Sequence, residues 1–320
     1  MSFRKAEKKE TNTYEIEFLL EKDAFDAACT RAFKKQVVKM NIPGFRKGKA
    51  PRAIVEKMYG KGVFYEDAIN ELKGLGISAE AHAGDVSSLK SMQDAAAYVS
   101  AQGNIRAVVL CAGISPEMGT YDQILDIDAI GTIHVDTAFA PYMGEGSCIL
   151  NVSSMAAYQV PMKVMDFYPL AFTDIPAFRD GLMKACEQMP EGIRSGMAYV
   201  FSKQFVIWFS KRRAVKYGRQ GIRVVSISPG HFRTPMEKYQ GEEGVGTQMA
   251  REGALGRVGD PSEIARMMAF MVSPEASYLC GTDILYDGGT IAAIEAKSED
   301  QRFARAAAKA QATNTISGQN

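Results

Sequence analysis

Tyr199-Val-Phe-Ser-Lys203 is the stretch of this sequence with the plainest chemical potential. In a helix, a spacing of four puts the phenol and the ammonium on one face, a turn apart. A cation held there favours tyrosinate, lowering a phenol pKa that is about 10 when unperturbed. A tyrosine tuned in this way exchanges a proton with an alcohol or carbonyl near neutral pH. The same spacing also arises as an ordinary surface pair, so context has to carry the reading. Gly146-Ser-Cys-Ile-Leu-Asn-Val-Ser-Ser154 supplies it, a buried-strand pattern ending in two hydroxyls. A serine at such a strand end can hydrogen-bond a substrate oxygen beside the tyrosine. Arg223-Val-Val-Ser-Ile-Ser-Pro-Gly230 is a further strand running into a turn.

The elements that must position these residues follow a strand–helix rhythm from Gly76 onward. Short apolar strands are expected at Ala79–Ala83, Arg106–Cys111, Cys148–Val152, Arg223–Ile227 and Asp283–Tyr286, with helical segments between most of them. This alternation predicts a parallel sheet with helices on both faces, which binds ligands at the carboxyl ends of its strands. Before about residue 72 the character differs. Thr13–Leu20 reads as a strand, and Asp23 caps a helix with Phe25, Ala28, Ala32, Phe33 and Val37 at near-helical spacing. A loop with three cations follows at Asn41–Pro51, then two shorter helical stretches at 52–59 and 64–74. From about 297 the chain is polar and Ala-rich, a marginal helix that frays. The expected domains are therefore 1–71, 72–295 and a tail, 296–320.

Composition excludes several classes. Net charge is +1, apolar residues make up 46% and charged residues 23%, as in ordinary globular chains. Charge is uneven, though: residues 1–52 hold thirteen Lys or Arg against seven Asp or Glu, a local +6. Five widely spaced cysteines without a CxxC pair suit a reducing cytoplasm and argue against disulfides or zinc; no metal site is expected from the three histidines either. No apolar run approaches the ~18 residues of a membrane span, and the charged N-terminus is not a secretory signal. The expected location is cytoplasmic.

Seven ordered segments resemble the short-chain dehydrogenase/reductase family: Gly84-Asp85-Val86, Cys111-Ala112-Gly113, Asn151-Val-Ser-Ser154, Tyr199-xxx-Lys203, Pro229-Gly230, Thr234-Pro235-Met236 and Asp287-Gly288-Gly289. Gly256-Arg-Val-Gly-Asp-Pro-Ser-Glu-Ile264 resembles a further family stretch. The likeness covers about residues 72–295. It implies an incomplete Rossmann-like, doubly wound α/β sheet with an N-terminal α+β appendage. It also implies hydride transfer between NAD or NADP and an alcohol or carbonyl. By position, Tyr199 is the general acid/base, Lys203 lowers its pKa and bonds the nicotinamide ribose, and Ser154 orients the substrate oxygen. Asp128 stands where the family has a proton-relay asparagine. Asp85 with Val86, and Cys111-Ala112-Gly113, would meet the adenosine; Pro229, Gly230 and Thr234 would border the nicotinamide. Relatives of this kind also form homo-oligomers.

This sequence departs from the family in four ways. Ser154 and Tyr199 are 45 residues apart, and the extra stretch, Met162–Met197, is rich in Met, Phe and Pro. It resembles the insertion of bacterial 3α-hydroxysteroid dehydrogenase/carbonyl reductases, which implies a steroid-like or bulky hydrophobic substrate; an oligomer contact is the alternative. Asp128 replaces the relay asparagine, and Cys111 and Val225 replace others. Most important, the opening strand, the TGxxxGxG turn whose N–H groups hold the pyrophosphate, and the second strand are missing. The Leu20-Glu-Lys-Asp23 connection has no glycine and two acids.

The head resembles something else. Asn41-Ile-Pro-Gly-Phe-Arg-Lys-Gly-Lys-Ala-Pro51, preceded by strand and helix, is similar to the ribosome-binding tip of bacterial trigger factor over about residues 7–70. The likeness implies that Phe45, Arg46 and Lys47, in the 44–49 loop, contact the ribosome, with cations neutralising rRNA phosphates. Three readings stand: an NAD(P)-linked oxidoreductase, a ribosome-associated chaperone-like protein, and a catalytically inactive fusion of the two families.

Overall fold

The computed structural model describes residues 2–10, 13–19, 82–234 and 244–302, with isolated positions at 33, 37, 38, 46, 49, 51 and 55. The chain separates into two compact units, residues 1–83 and 84–320.

In the first unit, β1 (Ser2–Glu10) pairs antiparallel with β2 (Thr13–Leu19). The expectation of a strand at 13–20 matches β2, whereas β1 was read only as a charged start. The register sets Lys5 opposite Glu17, Glu7 opposite Glu15 and Lys8 opposite Tyr14. The helices expected at 52–59 and 64–74 lie outside the described residues, save Pro51 and a helical Val55 at their start. The helix after Asp23 is described only at Phe33 and Val37, both helical.

The second unit is built on a four-stranded parallel sheet in the order β3 (Ile105–Leu110), β4 (Met143–Val152), β5 (Arg223–Pro229), β6 (Asp283–Tyr286). Four of the five expected strands are here. Of the fifth, Ala79–Ala83, only His82 and Ala83 are described, and neither is in a strand. Helix α1 (Leu89–Gln102) precedes β3, capped by Ser88, whose hydroxyl accepts the Ser91 N–H. Between β3 and β4 one helical run has three parts: α2 (Tyr121–Ile124), a π segment (Leu125–Ile130) and α3 (Gly131–Phe139). Between β4 and β5 lie α4 (Ile175–Glu187) and the long α5 (Arg194–Tyr217). Then come α6 (Val245–Glu252), α7 (Pro261–Val272) and, after β6, a helix over 290–302.

Strand alternation explains why helices cover both faces. Ile149 and Val224 point to α5, packing with Ala214 and Tyr217. Cys148, Leu150, Val225 and Ile227 point the other way, to Met271 of α7. Gly221, at φ 74°, turns the chain from α5 into β5; a Cβ there would strike Glu145 at 2.7 Å. Among the described residues β3 pairs only with β4. Its Val108 and Leu110 pack with Met92 and Ala96 of α1, but Ala107 and Val109, on the opposite face, are exposed. On β5, by contrast, all but Pro229 is buried.

Residues 160–197 form a separate layer. Tyr168, Phe178, Leu182 and Cys186 are buried against Phe201, Phe205 and Phe209 of α5 and Ile124, Leu125 and Ala129 of the helical run. Each fully buried aromatic or leucine contributes about 1.5–3 kcal/mol relative to exposure. The Met- and Phe-rich insertion therefore spends most of its apolar side chains inside its own chain.

Candidate active site

Helix α5 carries Tyr199 and Lys203 past the carboxyl end of β4, and three polar anchors fix it there. Ser153 Oγ donates to the Lys203 carbonyl at 2.8 Å, Gln204 Nε2 to the Ala157 carbonyl at 2.9 Å, and Asn151 Nδ2 to Ser210 Oγ at 2.9 Å. All of these side chains are buried and each has a partner, as buried polar groups require. Lys203 is itself 4% exposed. Its Nζ lies 3.1 Å from Asp128 Oδ2, donates to the Val152 carbonyl at 3.4 Å, and sits 5.3 Å from the centre of the Tyr199 ring. Burial opposes the charge on Lys203, but the charges of Asp128 and Tyr199 and a hydrogen bond to Asp128 outweigh it and raise the lysine's pKa. The group is an ammonium.

Asp128 reaches this pair from the π segment. Its Oδ1 accepts the Ile114 N–H at 2.9 Å, and its own carbonyl accepts the Thr132 hydroxyl at 2.7 Å. A Cβ on Gly113 would lie 3.3 Å from both Asp128 Oδ1 and Lys203 Nζ. A side chain there would press on the ion pair, which would have to give by a few tenths of an ångström. Ser154, at the end of β4, is 9% exposed and accepts the Ala156 N–H at 3.1 Å, which leaves its hydroxyl proton to donate.

A cavity of about 600 Å³ opens at this end of the sheet. It brings together Ser154, Tyr199 and Lys203 with Cys111, Gly113, Pro229, Gly230 and Thr234. Its remaining wall is largely apolar, with Ile114, Met155, Phe232 and Met249. Asp128 is buried directly behind it. Besides Asp128, three sequence-predicted positions are not on the wall. Asp85 spends its carboxylate on the Ser87 N–H (2.9 Å) and hydroxyl (2.7 Å), which hold it below its usual pKa. Val86 packs on Gly131 and its carbonyl meets His134 Nδ1 at 3.0 Å. Ala112 is exposed beside Cys111. In the head, Arg46 is exposed and its carbonyl accepts the Lys49 N–H at 2.8 Å; Phe45 and Lys47 lie outside the described residues.

Sequence reasoning passed over several residues of the site. Ser115 is 2% exposed, lines the cavity, and its hydroxyl has no protein partner. His231 also lines it, with Nε2 3.1 Å from the Thr247 hydroxyl of α6. Gln204 carried a readable signal: a polar residue beside Lys203 on a helix turn otherwise apolar. Ser115 and His231 carried none, since loop residues reveal burial only in three dimensions. Among the described residues no cluster could hold a metal ion, and no helix is long and apolar enough to cross a membrane.

A parallel sheet with Ser154, Tyr199 and Lys203 at its carboxyl end defines a class, and comparison with known proteins gives that class a name. Residues 62–171 match the family model for short chain dehydrogenase, and residues 186–290 match the model for enoyl-(acyl carrier protein) reductase. The larger part of the chain resembles the short-chain dehydrogenase/reductases. More particularly, it is 28% identical over 236 residues to a 3-alpha-hydroxysteroid dehydrogenase/carbonyl reductase of Comamonas testosteroni, spanning 70% of this chain and 88% of that protein. The fold is shared with the 3-alpha-hydroxysteroid dehydrogenase of Pseudomonas sp. B-0831 complexed with NADH, at TM-score 0.58 and 22% identity, over 72% of this chain and 93% of the other. The head is of different descent. Residues 2–96 match the bacterial trigger factor model, and 66 residues are 54% identical to trigger factor of Clostridium botulinum, 21% of this chain but only 16% of that protein. The two likenesses overlap across residues 62–96.

Proposed function

We propose that this chain is an NAD(P)-linked oxidoreductase that interconverts an alcohol and a carbonyl, with Tyr199 as general acid/base. The observation that carries the reading is the convergence of Tyr199, Lys203 and Ser154 on one cavity, with Asp128 pairing Lys203 from behind. NAD(P) is argued on fit. Tyr199, Lys203, Gly230 and Thr234 suit a nicotinamide riboside, and the unpartnered Ser115 hydroxyl is free for a ligand. The fit is partial: among the described residues no turn of the TGxxxGxG kind lines the cavity to take a pyrophosphate. A nicotinamide, when bound, supplies or accepts the hydride. The chain's own part is proton and charge handling. Tyr199 Oη passes a proton to or from the substrate oxygen, and Ser154 Oγ hydrogen-bonds that oxygen and fixes its position. Asp128 keeps Lys203 charged and in place, and the apolar wall suits a bulky, steroid-like substrate. Asp85, Val86 and Ala112 belong to the adenosine end in this reading.

A fluorescence titration with NADH and NADPH, followed by reduction of steroid-like ketones, tests the proposal. Saturable micromolar binding supports it, and no binding up to millimolar cofactor leaves the site residues as relics of an inactive fusion. The second reading is ribosome contact through Phe45, Arg46 and Lys47, supported by the 54% identity of the head. Co-sedimentation with ribosomes, lost when these three become alanine, is its test. We place the junction of the two parts near residues 70–73. Free thiols at Cys111, Cys148, Cys186 and Cys280 support a reducing, cytoplasmic setting. The exposed Ala107 and Val109 face of β3 supports a homo-oligomer, which light scattering would detect.

A further inference from the structure

The insertion contributes nothing to the wall of the cavity. Its described residues from 160 to 198 are absent from that lining, and its buried side chains face α5 and the 121–139 helical run instead. Those two helices are the ones that carry Tyr199, Lys203 and Asp128. The point of contact with the helical run is specific. Arg179, on α4, forks Asp126 with Nε to Oδ1 at 2.5 Å and an Nη to Oδ2 at 2.8 Å. Asp126 is two residues from Asp128, inside the π segment Leu125–Ile130.

A π turn is a rare helical state that needs outside support, and it is frequent where a functional side chain must be re-aimed. Here the Gly131 N–H bonds the Asp126 carbonyl five residues back, so Asp126 is one end of the widened turn. Relaxing that turn to α geometry removes one residue from the ring and rotates the residues after it by about 100°. Asp128 lies inside that turn, so the change would re-aim its side chain relative to the Ile114 N–H at 2.9 Å and Lys203 Nζ at 3.1 Å. On the inner side of the same segment, Leu125 and Ala129 are buried in the cluster that holds Phe178 and Leu182 of α4. The grip is therefore a charged fork beside an apolar contact, both made by α4 on the π segment.

We infer that the insertion is a brace for the active site and that Arg179 is its positioning residue: by holding Asp126 it fixes the π register that aims Asp128 at Lys203. Arg179 lines neither the cavity nor the ion pair; it binds Asp126, and the charges of Asp122 and Asp180 lie within its electrostatic reach. The inference rests on the oxidoreductase reading for its catalytic consequence, but not for its structural one.

The experiment is therefore read in two ways, on the full-length chain and on Arg179→Gln. Hydrogen–deuterium exchange of peptides spanning 121–139 should speed up roughly fivefold or more in the variant, the worth of one well-made bidentate pair. Peptides from β4 and β5 should be unchanged. The charge-swapped double variant Asp126→Arg, Arg179→Asp should restore the protection. If the parent reduces ketones, kcat should fall by a similar factor in Arg179→Gln at unchanged KM, and recover in the swap. Unchanged exchange over 121–139 overturns the inference, whatever the parent's activity. So does faster exchange that the swap fails to reverse, or faster exchange with kcat intact in an active enzyme. A parent without activity sinks the oxidoreductase reading alone, and the exchange measurement still decides the brace.

Discussion

Two buried ion pairs join the 121–139 helical run to α5, and they are built to opposite specifications. Asp128–Lys203 opens onto the cavity, with side chains 0% and 6% exposed and a lysine as the cation. One turn pair further along, Asp136–Arg213 is just as buried, at 1% and 8%, with Arg Nε 2.7 Å from Oδ2. Its guanidinium lies 4.7 Å from the ring centres of both Phe172 and Phe209, and Tyr217 donates its hydroxyl to Asp136 Oδ2 at 3.0 Å. Lysine is a compact charge on a mobile stem that can release a proton, whereas arginine is a flat, permanent cation suited to aromatic stacking. Burial raises Asp136 to about 6, only partly offset by Arg213, Tyr217 and Lys216. The cavity pair keeps its cation firmly charged, and the aromatic pair strains its anion. The first borders the cavity, the second joins the insertion to the core through Phe172.

The largest effect should come from the cavity side. Tyr199→Phe should lower kcat/KM by about 10²–10⁴-fold, the usual worth of a positioned acid/base, with the melting curve unchanged. Retained turnover would remove Tyr199 from the mechanism. Next, Arg213→Met should cost about 2–3 kcal/mol at pH 7.5 in urea unfolding, because Asp136 loses its cation and must take up a proton at a pH about 1.5 units above its folded pKa of about 6. That loss should shrink toward pH 5.5, as Asp136 takes up a proton. The parent carries the same sign in weaker form. With its folded pKa near 6 and an unfolded value near 3.9, Asp136 favours the fold fully below pH 4 and loses that contribution as pH rises to about 6.

Asp128→Asn should behave as the mirror image. The amide keeps the Ile114 N–H bond but leaves Lys203 a buried cation without a counter-charge. The cost should be about 2–4 kcal/mol at pH 7.5, capped near ~4 kcal/mol by the ~3 pH units separating that pH from a free lysine's pKa. It should recover toward pH 9.5, where Lys203 is more easily neutralised. If both variants recover in the same direction, the contrast between the pairs is wrong. The smallest effect belongs to an exposed control. Lys90 pairs with Asp94 on α1 with side chains 77% and 58% exposed, and Lys90→Ala should change stability by less than about 0.5 kcal/mol.

Much of this was readable from spacing alone. The four strands β3–β6 fall within a few residues of their apolar runs, because a buried parallel strand writes itself as continuous Val, Ile and Leu. Tyr199 and Lys203 were found by helical spacing, and Asp128 by its place in an ordered set of motifs. The rest depended on packing. Nothing in Leu-Asp-Ile-Asp-Ala-Ile signals a π turn, since that state is set by contacts with α4 and α5. The insertion's packing against α5 was not legible because its composition was considered without its partner. Phe201, Phe205 and Phe209, at intervals of four on α5, mark a second apolar face away from the sheet, and that face is what the insertion covers. β1 was missed because Ser2–Glu10 is densely charged and has no apolar alternation.

The layer between the insertion and α5 also contains the chain's only tryptophan. Trp208 stacks on Phe172 at 5.5 Å, tilts against Tyr168 at 5.2 Å, and has the Arg212 guanidinium 5.7 Å from its ring. Two of its neighbours, Tyr168 and Phe172, come from the insertion, and two, Arg212 and Phe205, from its own helix. Its emission colour and lifetime therefore report on one seam of the molecule, with no label added. A red shift in mild urea, ahead of the far-ultraviolet transition, would time the lifting of that layer separately from the melting of the sheet.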